Sequence, residues 1–177
     1  MTTAIPVIDT ERLRLRANRP DDLPAFRAMW QQPEFYTFLG GQPLNEEAVW
    51  TKLLRHLGQW PMFGYGYWGV EEKASGQLVG AVGYADWQRA IEPSLKGFPE
   101  AGWVLAPQVH GRGYGTEAMQ AAVAWADAHV AQRRTVCIIE PANTASLALA
   151  AKMGFREFSR ADYNQKVLIL LERFAVA

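Results

Sequence analysis

The sequence holds a single cysteine, Cys137, in 177 residues. That excludes an internal disulfide and fits a reducing compartment. Cys137 lies in the apolar run 135–139, Thr-Val-Cys-Ile-Ile, where a small buried hydrophobe is the natural reading. Histidine is also scarce: His56, His110 and His129 are scattered and, with the one cysteine, give no metal-ligand spacing, so no metal is expected. Neither sign of charge is in excess, with 18 Lys+Arg against 18 Asp+Glu. A balanced chain offers no electrostatic case for nucleic acid or an anionic membrane as partner. No apolar stretch is long enough to span a bilayer. The amino terminus lacks the charged-then-apolar pattern of an export signal, so a cytoplasmic location is expected. Repeats, linkers and low-complexity segments are missing too, which places one domain over residues 1–177.

Hydrophobic residues make up 49% of the chain and charged residues 20%, enough for a real core and too apolar for disorder. Residues 100–131 organise the rest. Trp103, Val104 and Leu105 form a short apolar run that suits a buried strand, and Pro107 ends it because proline cannot donate to a ladder. Gly111, Gly113 and Gly115 alternate through the following turn. Ala118, Met119, Ala122, Val123, Ala126 and Val130 then recur at three- and four-residue steps, one stripe of a helix. A helix start leaves backbone N–H groups unpaired and carries partial positive charge, and glycines before it let an anion approach. The turn is thus either a tight connection or an anion site, to which Arg112 adds a positive charge. Thr116 stands where a dinucleotide fingerprint needs its last glycine, and no lysine closes the turn as in a nucleotide-hydrolase phosphate loop.

His110-Gly111-Arg112-Gly113-Tyr114-Gly115 resembles the Arg/Gln-x-x-Gly-x-Gly/Ala acyl-CoA motif of the GNAT N-acetyltransferases, with His110 departing from the usual first residue. Thr10-Glu-Arg-Leu-Arg-Leu-Arg16 resembles the opening of the branch that contains the ribosomal-protein N-terminal (RimJ/RimL-like) acetyltransferases. By alternation alone this string reads as a solvated edge strand carrying Arg12, Arg14 and Arg16 on its wet face. Asn143, Ser146, Lys152, Gly154 and Phe155 resemble the family's Asn-x-x-Ser…Lys-x-Gly-Phe element. Asn143 and Ser146 also stand at cap spacing, so capping and cofactor contact are both open to them.

Elsewhere the pattern is plainer. Residues 20–30 read as a helix with acids in its first turn. A second helix starts after Asn45 and is ended by Gly58 and Pro61, with Val49, Trp50, Leu53, Leu54 and Leu57 on one side. Between them, Phe35, Tyr36 and Phe38 are candidates for a substrate wall or simply a packed loop. Residues 64–70 and 77–87 read as two strands, with Gly80 and Gly83 marking a bend or close backbone approach. Residues 89–99 read as a surface loop. A strand follows at 135–140, a helix at 147–153, and a closing hairpin at 155–160 and 165–174, with 162–165 as its turn or the start of its last strand.

The resemblance implies an α+β fold: a mixed, mostly antiparallel central sheet, splayed open at the cofactor cleft and flanked by helices. It implies acetyl-CoA as co-substrate, its pantetheine arm bonded to the main chain of Val104 and Leu105. The phosphates would lie on His110, Gly111, Arg112, Gly113, Tyr114, Gly115 and Thr116, with Asn143 and Ser146 contributing. Direct transfer to a primary amine, a small molecule or a peptide N-terminus, would follow. Charge developing on the thioester oxygen asks for a backbone donor near Leu105. An attacking lysine amine, pKa about 10.4, or α-amine, about 8, must lose a proton. Glu100 is the candidate base, or else a solvated strand-edge carboxylate; Tyr163 is the candidate acid for the leaving thiolate, or else a packed tyrosine. An acyl-CoA binder without efficient catalysis and a partner-binding module remain as other classes. The chain could act as monomer or homodimer, and aromatics at 35–38 and 60–68 hint at an apolar or cationic acceptor.

Overall fold

A computed structural model describes residues 4–175. Eight strands form one open sheet in the order β1-β2-β3-β4-β5-β6-β8-β7. They are β1 Ile8–Asp9, β2 Leu13–Arg16, β3 Tyr67–Glu72, β4 Leu78–Ala85, β5 Glu100–Leu105, β6 Arg134–Ile139, β7 Arg156–Tyr163 and β8 Lys166–Phe174. The helices are α1 Leu23–Met29, α2 Pro33–Tyr36, α3 Glu46–Phe63, α4 Tyr114–His129 and α5 Thr144–Lys152. Every neighbouring pair is antiparallel except β5 and β6.

β2 shows why alternation alone misplaces it. The strand pairs with β1 on one side and β3 on the other, so it is not an edge. Leu13 and Leu15 are fully buried as the pattern demands, yet Arg16 is buried as well. Its guanidinium donates from Nη1 and Nη2 to Asp22, both at 2.8 Å, and from Nε to Glu71 at 2.6 Å. Two carboxylates thus replace the water that a third solvated arginine would have kept.

α3 runs past Gly58 and Pro61 to Phe63. Proline in the final turn removes only one late hydrogen bond. Trp60, buried, anchors that turn through its indole N–H to the Tyr67 carbonyl at 3.2 Å. Gly64, at φ 75°, closes the helix by donating to the Trp60 carbonyl at 2.9 Å.

The segment 89–99 is not a bare surface loop. Ile91 and Leu95 are buried, in a second apolar cluster with Val136, Leu168 and Leu170. The expected hairpin is present, and 162–165, open between a turn and the start of the last strand, divides into the end of β7 and a two-residue turn. Tyr163 is the last residue of β7, and only Asn164 and Gln165 turn, at φ 50° and 63°.

Gly80 and Gly83 mark close approach, as their place inside a strand implies. A Cβ on Gly80 would lie 2.2 Å from the Val104 carbonyl oxygen, and one on Gly83 2.2 Å from that of Gly66. Side chains at either position would push β4 away from its neighbours.

Candidate active site

Parallel β5 and β6 touch at one point, Glu100 opposite Val136. β5 then stays on β4 for its full length, from Ala85–Glu100 to Gly80–Leu105. Its other edge is released, and the sheet opens into a V beyond Glu100. The Ala106 N–H donates to the Val79 carbonyl at 2.8 Å. In an antiparallel ladder, alternate residues share one side, so Gly102 and Val104 spend their amides on β4. Trp103 and Leu105 turn theirs into the gap. The expectation that Val104 turns its main chain to the gap is therefore corrected by the register: Val104 faces β4, and Trp103 and Leu105 face the gap.

The glycine-rich turn lies at the end of that edge. Gly113, at φ 80°, is the N-cap of α4 and has no side-chain cap. The first intrahelical bond is from Glu117 N–H to the Gly113 carbonyl at 3.0 Å, so the Tyr114, Gly115 and Thr116 amides need no intrahelical partner. Nothing lies within 4 Å of where a Gly111 side chain would begin. Bare backbone, a helix start and open space are what a phosphate requires.

Side chains of this turn are otherwise engaged. Arg112 pairs with Glu72 at 2.8 Å and donates to the Tyr114 hydroxyl at 2.6 Å, so its charge is matched within the protein. Tyr114 is buried and donates in turn to Glu72 at 2.6 Å. His110, expected at the phosphates, places Nε2 2.9 Å from the Leu105 carbonyl oxygen. That contact satisfies one of the gap-facing carbonyls.

The Thr-Glu-Arg opening finds its purpose here. Thr10 Oγ1 donates to Glu117 at 2.6 Å, Arg12 Nε donates to the same carboxylate at 2.7 Å, and Arg12 Nη1 donates to the Arg112 carbonyl at 2.8 Å. β2 and its approach thereby brace both the turn and the first turn of α4. Arg12→Ala is expected to weaken acetyl-CoA binding about tenfold, the equivalent of one charge-assisted contact. Arg14→Ala, which breaks only the exposed pair with Asp9, should leave affinity unchanged. Calorimetric titration of both variants checks this.

Beside the V lies a cleft of about 590 Å³, walled by α3, the 38–40 loop, β5, β6 and the β7–β8 turn. Glu100 and Tyr163 both line it, as do Asn143 and Ser146. Glu100 is buried and bonded through both oxygens to Arg89, each at 2.8 Å. Burial pushes its carboxyl up, while Arg89 pulls the other way; desolvation is the larger effect. The Arg89 guanidinium also lies 5.5 Å from the centre of the Tyr163 ring, which joins the two candidates through one residue. Asn143 accepts from the Ser146 N–H at 3.1 Å as the α5 cap, and Ser146 Oγ accepts from the Trp103 indole at 3.2 Å. Capping is thus realised, and Ser146 faces the gap across from β5.

Of the three aromatic candidates in the 33–41 region, only Phe38 lines the cleft. Phe35 is buried against Trp30, and Tyr36 packs on the core. Arg89, Lys52, Arg55, His56 and Trp87 line the cleft without having been singled out by sequence. The α3 residues could have been found from Val49 and Leu53, since Lys52 and His56 follow on the same flank at helical steps. Burial and the charges of Lys52 and Arg55 push the His56 imidazole down to about 3, so it is neutral. Cys137 is buried and its thiol is pushed well up, which makes it a hydrophobe. Among the described residues, no group of three His, Cys, Asp or Glu could hold a metal ion, and no helix is long and apolar enough to cross a membrane.

A profile for the acetyltransferase (GNAT) domain matches residues 12–156. The chain belongs to the GNAT acetyltransferase family. A solved GnaT-family acetyltransferase from Bordetella pertussis is 31% identical, with a TM-score of 0.85 over 96% of this chain and 99% of that one. YkkB of Bacillus subtilis (strain 168) is 26% identical over 168 residues, 93% of each protein. RimL, a ribosomal L7/L12 α-N-protein acetyltransferase solved in complex with coenzyme A, is 19% identical with a TM-score of 0.77 over 96% of this chain and 98% of its own. That last likeness is one of fold. The open eight-stranded sheet with flanking helices is accordingly the GNAT fold.

Proposed function

We propose that this GNAT protein transfers the acetyl group of acetyl-CoA directly to a primary amine, with both substrates bound together. The observation that carries the reading is the released edge of β5, whose Trp103 and Leu105 amides face a gap that leads to the open N-terminus of α4. An extended pantetheine arm has amide groups of its own and can complete that edge as an added strand would. Gly111, Gly113 and the first amides of α4 suit the phosphates, and the Ser146 hydroxyl and Asn143 sit on the opposite wall.

Acetyl-CoA supplies an activated thioester. The chain supplies the rest. The Leu105 N–H, turned into the gap by the ladder register, donates to the thioester oxygen as charge builds there. Glu100 accepts the proton that the attacking amine gives up, directly or through one water. Burial raises its carboxyl toward the working range of a base, while the two Arg89 bonds favour the ionised form. Tyr163 donates its phenolic proton to the departing sulfur. A C–N bond forms, the C–S bond breaks, and the products are the N-acetyl amine and coenzyme A as its thiol.

The test is release of free thiol from acetyl-CoA across a panel of primary amines. Amine-dependent release, with the N-acetyl product seen by mass spectrometry, supports the reading. Saturable acetyl-CoA binding without acetylation of any amine would leave an acyl-CoA binder instead.

A further inference from the structure

The acceptor side of the cleft has a charge the chain as a whole does not. Its carboxylates are each matched: Glu100 by Arg89, and Glu140 by Lys166 at 2.5 Å. Lys52 and Arg55, one turn apart on α3, line the same cleft and form no ion pair among the described residues. They also border a shallow adjoining groove with Glu47, which pairs with neither. Two cations therefore stand unmatched on one wall.

Two aromatic faces of that wall are already taken by cations. Lys52 Nζ lies 5.1 Å from the Trp30 ring centre, and the Arg55 guanidinium 4.5 Å from that of Trp87. The protein's own cations occupy the cation–π positions. At Trp30 and Trp87 a cationic acceptor would find its place already taken. Burial and the positive charges of Arg55 and Arg89 push the Lys52 ammonium down, a strain that an arriving anion relieves. His56 lines the cleft beside them as a neutral ring stacked on Tyr67 at 4.4 Å, and its buried Nδ1 has no hydrogen-bond partner among the described residues.

We propose that the acceptor is a small primary amine that also carries an oxyanion group, a carboxylate or phosphate, held between Lys52 and Arg55. The inference rests on the acetyltransferase reading and narrows its substrate. The cleft's volume is on the scale of a small-molecule site. The anion is held on α3, and Glu100, which faces the same cleft, is left to meet the amine.

The experiment compares kcat/KM for β-alanine, phosphoethanolamine, ethanolamine, 1,3-diaminopropane and a short acidic peptide, with acetyl-CoA binding measured separately. The two anionic small amines should exceed ethanolamine by about tenfold or more and the diamine by more still, the scale of one or two charge contacts. Which of the two is better distinguishes carboxylate from phosphate. Neutralising both cations, Lys52→Gln with Arg55→Gln, should lower the anionic-to-cationic ratio at least about tenfold, and Lys52→Glu with Arg55→Glu should invert it. A wild-type preference for neutral or cationic amines, or for the peptide, overturns the inference while leaving acetyl-CoA binding intact. So does a ratio that neither double variant moves. Failure of the wild type to bind acetyl-CoA would instead remove the reading on which the inference stands.

Discussion

Tyr163→Phe should lower turnover by roughly 10- to 100-fold and leave the calorimetric affinity for acetyl-CoA unchanged. General acids contribute about 10²- to 10⁴-fold where the leaving group is poor. A thiolate is a better leaving group, since a thiol has a pKa of about 8.5, so the lower end applies. The phenyl ring keeps the place of the phenol beneath Arg89, 5.5 Å away, so packing and cleft shape survive. The hydroxyl is lost, and with it the proton and its contact with Arg89. Steady-state kinetics and titration on the same preparation separate the two quantities. Unchanged turnover would take Tyr163 out of the mechanism, and a tenfold weaker affinity would make it a binding residue.

The second large effect concerns stability and lies far from the chemistry. Asp22→Ala should destabilise the fold by about 3 kcal/mol, the low end for breaking a buried ion pair. Asp22 accepts two bonds from Arg16 and one from the Arg19 N–H at 2.7 Å, and it is buried. Its loss strands two guanidinium N–H groups, while Glu71 still accepts from Nε and keeps the cost from rising further. For a chain of this length the melting temperature should fall by about 6–12 °C. Asp9→Ala removes a pair in which both side chains are nearly half exposed, so it should cost less than about 1 kcal/mol. Thermal melts of the two variants together decide the matter. Equal shifts would mean that burial of Arg16 carries no special weight.

Much of this could be read from the sequence because it depends on neighbours in the chain. Gly113 needs a left-handed backbone and the α4 stripe needs a period of 3.6, and both requirements are written locally. What could not be read depends on partners far away. Arg12, Arg14 and Arg16 look alike at period two, yet one braces the α4 start 105 residues on, one is solvated, and one is buried against Asp22 and Glu71. Nothing in the residues themselves tells Val104 from Trp103 at the gap, because ladder parity depends on how β5 meets β4. Arg89 was hidden for the same reason: its meaning comes from Glu100, eleven residues on, across a fold of the chain. The charge of the acceptor wall was invisible in a net charge of zero, since only the structure shows which cations lack partners.

The gap beside Trp103 and Leu105, with the turn below it, is the acetyl-CoA site we propose. Titration calorimetry of acetyl-CoA into the wild-type protein and into Gly113→Trp, each confirmed folded by its melt, tests it most directly. The wild type should bind one equivalent, with a dissociation constant in roughly the micromolar to sub-millimolar range usual for enzyme substrates. The variant, with an indole at the mouth of the α4 N-terminus, should bind at least about tenfold more weakly. No binding by the folded wild type, or equal binding by the variant, would contradict the account.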